Sequence, residues 1–201
     1  MSAADVFSDV YAADRWNGGS GPGSAPENSE EYRRFLSGHL DELRATPGVA
    51  RVVDLGCGDW RIGELLDWTG LDYVGIDVVP EVIAANLRRD TPDNVTFVCL
   101  DALTAPLPPG DLLIVKDVFQ HWPTADIARF LDKYADGLYP EGVIVTNDVS
   151  ARRHPARLNS DIEMGDWRPV DVEAAPFNRR ARDWIEYPVL DEWVKRTAVI
   201  R

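Results

Sequence analysis

Between residues 49 and 150 the chain alternates between two hydrophobic rhythms, and few folds accept that alternation. Val49 to Leu55, Tyr73 to Val78, Val95 to Leu100, Leu112 to Val115 and Val143 to Thr146 are short, rich in β-branched residues and almost continuously apolar. Strands look like this when both their faces are buried, as in a parallel sheet covered by helices. The segments between them carry apolar residues at helical spacing: Ile62, Leu65 and Leu66; Val82, Ile83 and Leu87; Ile127, Phe130, Leu131, Tyr134 and Leu138. Pro80 suits a first helical turn and Thr124 an N-cap. The alternation predicts a doubly wound, Rossmann-like α/β sheet.

The flanks extend this frame into a single domain over residues 1–201, for which a 45% hydrophobic content supplies the core. Residues 28–45 set Tyr32, Phe35, Leu36, Leu40 and Leu43 on one helical face, with Asn28 and Glu31 spaced as a capping box. Ahead of that helix, Asn17-Gly18-Gly19-Ser20-Gly21-Pro22-Gly23-Ser24-Ala25-Pro26 admits no regular element, and its composition alone reads as a tether. Residues 151–182, rich in Arg, Pro, Asp and Asn, read as an ordered irregular insertion anchored by Trp167 and Phe177. Trp184 to Val189 and Lys195 to Ile200 read as two closing strands, paired as a C-terminal antiparallel hairpin, which makes a seven-stranded sheet.

Chemistry enters at the end of the first strand, in Val52-Val53-Asp54-Leu55-Gly56-Cys57-Gly58-Asp59-Trp60. Gly56 and Gly58 let backbone approach a ligand at the carboxyl edge of the sheet, where open α/β folds bind. A pyrophosphate site asks for G-x-G-x-x-G, and position 61 is Arg. Asp54 and Asp59 would repel a diphosphate, whereas they suit a ligand with a cationic head, such as S-adenosylmethionine. Asp77 ends the second strand, where a carboxylate accepts ribose hydroxyls, with Val78 beside it. Asp101-Ala102 ends the third, where a carboxylate and a backbone amide meet an adenine.

The stretch 52–148 resembles the class I S-adenosylmethionine-dependent methyltransferases, through V-V-D-L-G-C-G-D, Y-V-G-I-D and F-V-C-L-D-A, with Trp60 standing where a third glycine is common. Arg15-Trp16-Asn17-Gly18-Gly19 with the following S-G-P-G-S, Lys116-Asp117-Val118-Phe119-Gln120-His121, and Asn159 to Asp161-Ile162, Gly165 and Trp167-Arg168-Pro169 resemble a narrower bacterial group of such enzymes. The resemblance implies that residues 1–46 form a lid loop and helix, that 151–182 cap the substrate, and that S-G-P-G-S is a pocket element.

Methyl transfer from a sulfonium is an in-line displacement, so acceptor contacts belong at the carboxyl ends of strands four and five. His121 suits a general base near neutral pH, or a structural hydrogen bond. Asp117 and Asp148 can take a proton or bind an acceptor's ammonium or hydroxyl. Lys116 pairs with an acid beside the cofactor, and Phe119 packs near the adenine or sulfonium, or simply in the core. Trp16 and Trp167, on irregular segments, suit pocket walls, with Asn147 and Arg168 as further substrate contacts. Arg152, Arg153, Arg168, Arg179 and Arg180 form a local basic bias that can read a carboxylate or phosphate, or remain solvated.

Composition narrows the partners. Twenty-one Lys and Arg against 34 Asp and Glu give a net charge of −13, which repels nucleic acid and anionic lipid. Two cysteines, Cys57 and Cys99, and three histidines offer no disulfide or metal framework. With no leader or membrane span legible, the expectation is a cytoplasmic enzyme, monomer or homodimer, that methylates an oxygen or nitrogen of a small molecule and releases S-adenosylhomocysteine. Its rivals are a peptide or protein methyltransferase, which would show a shallow acid-rimmed groove, a non-catalytic scaffold, and a nicotinamide dehydrogenase.

Overall fold

Parallel pairing builds the middle of the sheet in a computed structural model that describes residues 2–48, 50–135, 137–150, 157–190 and 193–201. β1 (Arg51–Leu55) lies between β2 (Asp72–Asp77) and β4 (Leu112–Lys116), with β3 (Val95–Cys99) beyond β2 and β5 (Gly142–Asp148) beyond β4. All seven residues of β5 are buried, the polar Thr146, Asn147 and Asp148 that follow its apolar run included. β6 (Ala181–Val189) and β7 (Trp193–Ile200) form the expected antiparallel hairpin, and β7 docks antiparallel on β5. The full order is β3-β2-β1-β4-β5-β7-β6. The chain winds outward from β1 to β3 and then returns to β4, so the crevice of the switch lies at the carboxyl ends of β1 and β4.

Helices cover both faces. α2 (Glu30–Ala45) buries Tyr32, Leu36, Leu40 and Leu43 on one side, with Trp60 and Trp68. α4 (Thr124–Tyr134) packs on the other with Val170, Val172 and Phe177 from the late insertion. α3 (Pro80–Asn86) starts on its first-turn proline as expected.

Several local expectations give way. No helix follows the glycine loop; Gly63–Leu65 is a single 3-10 turn. Trp60 takes a left-handed φ of 57°, its indole packs against Gly63 where a Cβ would collide, and Trp68 Nε1 donates to the Gly63 carbonyl at 2.8 Å. Large rings there outcompete helical winding. Asn28 sits in a 3-10 turn, the N-cap of α2 is Ser29, and it makes no side-chain capping bond. Pro123, not Thr124, caps α4, and Asp161 Oδ1 accepts the Thr124 N–H at 2.8 Å. Leu138 lies past the end of α4 and is exposed. Residues 3–12, expected only as part of a lid loop, form α1 (Ala3–Ala12) on a Ser2/Asp5 capping box and bury Phe7 and Val10. Val49, the expected first strand residue, falls outside the described residues, as do Arg152 and Arg153.

Candidate active site

Every strand end at the switch point opens into one cavity of about 1090 Å³, its mouth included. Leu55 and Gly56 contribute from β1, Asp77 and Val78 from β2, Leu100, Asp101 and Ala102 from after β3, and Lys116 to Val118 from β4. The roof is Ser20 to Ser24 together with Phe7 and Tyr11 of α1. An aromatic-walled cleft with a few converging charges suits a nucleoside.

The glycine loop is held by the carboxylate of Asp77. Its Oδ2 accepts the Gly58 N–H and its Oδ1 the Val79 N–H, both at 3.0 Å. Burial raises its pKa, and these backbone donors oppose the rise. Each oxygen keeps a lone pair, and the residue faces the cavity, as a ribose acceptor must. Gly56 (φ 74°) is needed for close approach, because a Cβ there would strike Val118. Gly58 shapes the wall without lining it: a Cβ would meet Ser20 and stand 3.2 Å from the Tyr11 hydroxyl.

Asp54 and Asp59 stand outside the main cavity, in an adjoining smaller one that shares Ser20, Ser24, Gly56 and Lys116 with it. Tyr73 donates to Asp54 Oδ2 at 2.6 Å, and burial lifts the carboxyl to about 7, against Tyr73 and Lys116. Asp59 is spent on Arg61 and on the Ser20 N–H at 3.3 Å. The anionic head-group contact expected of this pair is therefore one layer back, and Asp77 and Asp101 are the carboxylates that reach the cavity from β2 and β3.

On the other side lies a buried charge cluster. Lys116 Nζ donates to the Gly23 carbonyl and Ser24 Oγ, each at 3.1 Å, and to Asp117 Oδ2 at 2.5 Å, tying the roof to β4. Lys195 of β7 pairs with the same oxygen. Burial pushes Asp117 upward, but the two lysines prevail and hold it at about 2. An acid that strong is a poor proton acceptor, which corrects the catalytic role expected of Asp117. Its backbone sits at a left-handed φ of 59°.

His121 is likewise corrected. Burial lowers its pKa to about 4, so the ring is neutral near pH 7. Nδ1 lies 2.9 Å from the Asp166 carbonyl, an acceptor only, so Nδ1 carries the proton. Gln120 Oε1 accepts the Asp148 N–H at 3.2 Å, which turns its amide nitrogen toward His121 Nε2 at 3.4 Å. The basic nitrogen thus already has a donor, and the ring lies 5.0 Å from Trp16, tilted at 37°, as cavity wall. Asp148 differs: Oδ1 accepts the Ser150 N–H, while among the described residues Oδ2 is buried without a partner, and the residue lines the cavity.

Three other expected contacts are structural. Phe119 is fully buried between Trp122 and Phe130, away from the cavity. Asn147 alternates away from Asp148 along β5 and does not line it. Arg168 has no exposed surface; it donates to the carbonyls of Ser160, Phe119 and Trp122 at 3.0, 2.5 and 2.7 Å. Arg179 pairs with Asp132, and Arg180 is exposed. Trp16 and Trp167 do line the cavity. Residues the sequence reading missed are Phe7 and Tyr11, Gln120, Trp193 and Lys195. The Ser2-x-x-Asp5 pattern signalled α1, and Lys195 is a charge on the buried side of a strand alternation.

Residues 53–146, the strands and loops that build this cavity, match the family model of a methyltransferase domain. That stretch is similar to a methyltransferase domain and spans just under half of the chain. The full fold is that of class I methyltransferases in solved structures of low identity. A S-adenosylmethionine-dependent methyltransferase of Leishmania major is 17% identical with a TM-score of 0.69, over 99% of this chain and 81% of that one. Magnesium protoporphyrin IX methyltransferase of Synechocystis with bound S-adenosylhomocysteine is 15% identical at 0.65, over 100% of both chains. The N-methyltransferase NodS of Bradyrhizobium japonicum with S-adenosylhomocysteine is 15% identical at 0.61, over 96% and 97%. No curated protein gave a sequence match. Among the described residues, no helix is long and apolar enough to cross a membrane, and no side-chain cluster is placed to hold a metal ion.

Proposed function

We propose that the protein transfers the methyl group of S-adenosylmethionine to an oxygen or nitrogen of a small-molecule acceptor. The observation that carries this is the site's electrostatics. Asp77 and Asp101 face the cavity at successive strand ends, and the glycine loop is followed by a 3-10 turn instead of a helix N-terminus. A diphosphate would find carboxylates where it needs a helix dipole, whereas ribose hydroxyls and an adenine amino group find acceptors.

The residues present fit the cofactor. Asp77 keeps lone pairs for ribose hydroxyls, Asp101 and Ala102 flank the adenine position, and Lys116 and the Ser20–Ser24 roof close over the far end. Bound there, S-adenosylmethionine supplies a methyl carbon on a sulfonium, a leaving group that needs no acid. The chain's part is to orient the acceptor, exclude water and remove a proton. Asp148, with an open buried oxygen, is the group suited to the proton; His121 and Gln120 fix its surroundings. A roofed, tryptophan-walled cavity supports a small acceptor over a peptide, which asks for a shallow groove.

Calorimetric titration with S-adenosylhomocysteine tests the reading. Asp77→Ala is expected to weaken binding by about 1–3 kcal/mol, the cost of leaving buried hydroxyls without an acceptor. Wild-type affinity in the variant contradicts the ribose assignment.

A further inference from the structure

The closing hairpin contributes a cavity residue that the reading above leaves unused. Lys195 is 2% exposed, lines the cavity, and stands directly opposite Asp148 in the antiparallel β5–β7 pair. Opposed residues of such a pair project from the same face with Cβ atoms about 5 Å apart. Among the described residues, Asp117 is the single hydrogen-bond partner of Lys195 Nζ, although an ammonium has three protons to give. Asp148 is 1% exposed and its Oδ2 has no partner. A buried donor and a buried acceptor therefore sit side by side on one cavity floor without pairing with each other.

We propose that Lys195 and Asp148 form the acceptor subsite and that the acceptor is an aromatic hydroxyl, a phenol. The inference rests on the methyl-transfer reading and adds the substrate class. A hydroxyl oxygen has one proton and two lone pairs. The proton meets Asp148 Oδ2, one lone pair meets Lys195 Nζ, and the second stays free to attack. A neutral amine has one lone pair, which Lys195 would occupy, and an ammonium would be repelled by Lys195 and Lys116. A carboxylate would gain Lys195 but face Asp148.

Acidity selects the aromatic kind. A phenol ionises near ~10, within reach of a carboxylate helped by an adjacent ammonium, whereas an aliphatic hydroxyl lies closer to water at ~15.7. The walls agree: Trp16, Trp167 and Trp193 line the same cavity, and the last two stack at 6.3 Å and 25°. Burial lowers Lys195 to about 8, with Asp117 resisting, so it remains a cation at neutral pH. In the transfer the phenolic O–H bond breaks and its proton goes to Asp148 Oδ2. With S-adenosylmethionine bound, an oxygen electron pair would form the bond to the methyl carbon as the carbon–sulfur bond breaks, the pair of that broken bond staying on sulfur. The products are an aryl methyl ether, a neutral thioether and a protonated Asp148 that returns its proton to solvent.

Calorimetry on protein saturated with S-adenosylhomocysteine tests this with three probes of one shape: 2-naphthol, 2-methoxynaphthalene and 2-naphthylamine. The naphthol is expected to bind at least about tenfold more tightly than either analogue. Lys195→Met and Asp148→Asn should each shrink that preference to about threefold or less while keeping S-adenosylhomocysteine affinity within about threefold. Equal binding of the three probes by the wild-type protein, no binding of any, a preference for the amine, or a preference surviving in both variants overturns the phenol subsite. Failure of the wild-type protein to bind S-adenosylhomocysteine in the preceding titration overturns the methyl-transfer reading instead.

Discussion

Asp54 shows how far one residue's neighbours can move its meaning. In the sequence it is an acid beside two glycines, indistinguishable in kind from Asp77. In the fold it bonds Tyr73 in the adjoining smaller cavity, and Asp77 takes the post facing the main one. The Asp54 carboxyl has a consequence for stability. Its pKa rises from 3.8 to about 7, so from about pH 4 upward the unfolded chain releases a proton that the folded chain keeps. Stability from this group is present below about 4 and is lost as pH rises toward 7. His121 works in the opposite sense: lowered from 6.5 to about 4, it costs stability as pH falls through that window. Asp54→Asn removes the first contribution alone. Thermal unfolding should show the variant gaining on wild type steadily between pH 4 and 7, and a constant offset would contradict a buried, proton-retaining Asp54.

At the scale of elements, all seven strands were legible, because continuous β-branched runs have no other stable use at that length. What stayed hidden was set by tertiary contacts. The turn after the glycine loop had helical spacing in Ile62, Leu65 and Leu66, yet the rings of Trp60 and Trp68 claim its backbone carbonyl and its glycine. The Arg in W-R-P looked like an anion reader because guanidinium groups usually serve that purpose. Two carbonyls of the loop after β4 and one of its own insertion had already claimed it. Arg168 thus fastens the late insertion to the loop after β4, and burial draws its pKa down to about 10. Arg168→Ala should cost about 3 kcal/mol or more, through lost charge-assisted bonds and stranded carbonyls. The melting temperature should fall by several degrees, on the order of 2–4 °C per kcal/mol for a chain this long. A variant that melts with wild type but loses acceptor affinity would restore the substrate role.

Across the whole molecule, two ends of the chain that are remote in sequence complete the site. The amino-terminal roof reaches Asp117 and Lys195 through Gly23, where a Cβ would run into the Lys195 side chain. The carboxyl-terminal hairpin supplies Lys195 itself. A central motif search sees only the strand ends between them, which is why Asp77, Asp101 and Asp148 were legible as cavity-facing residues and Lys195 was not. The central claim concerns the sign of charge that the crevice accepts, and calorimetry of the wild-type protein with S-adenosylmethionine and, separately, with NADH measures it most directly. One-to-one binding of S-adenosylmethionine with no heat from NADH is the predicted result; binding of NADH with silence toward S-adenosylmethionine would contradict it.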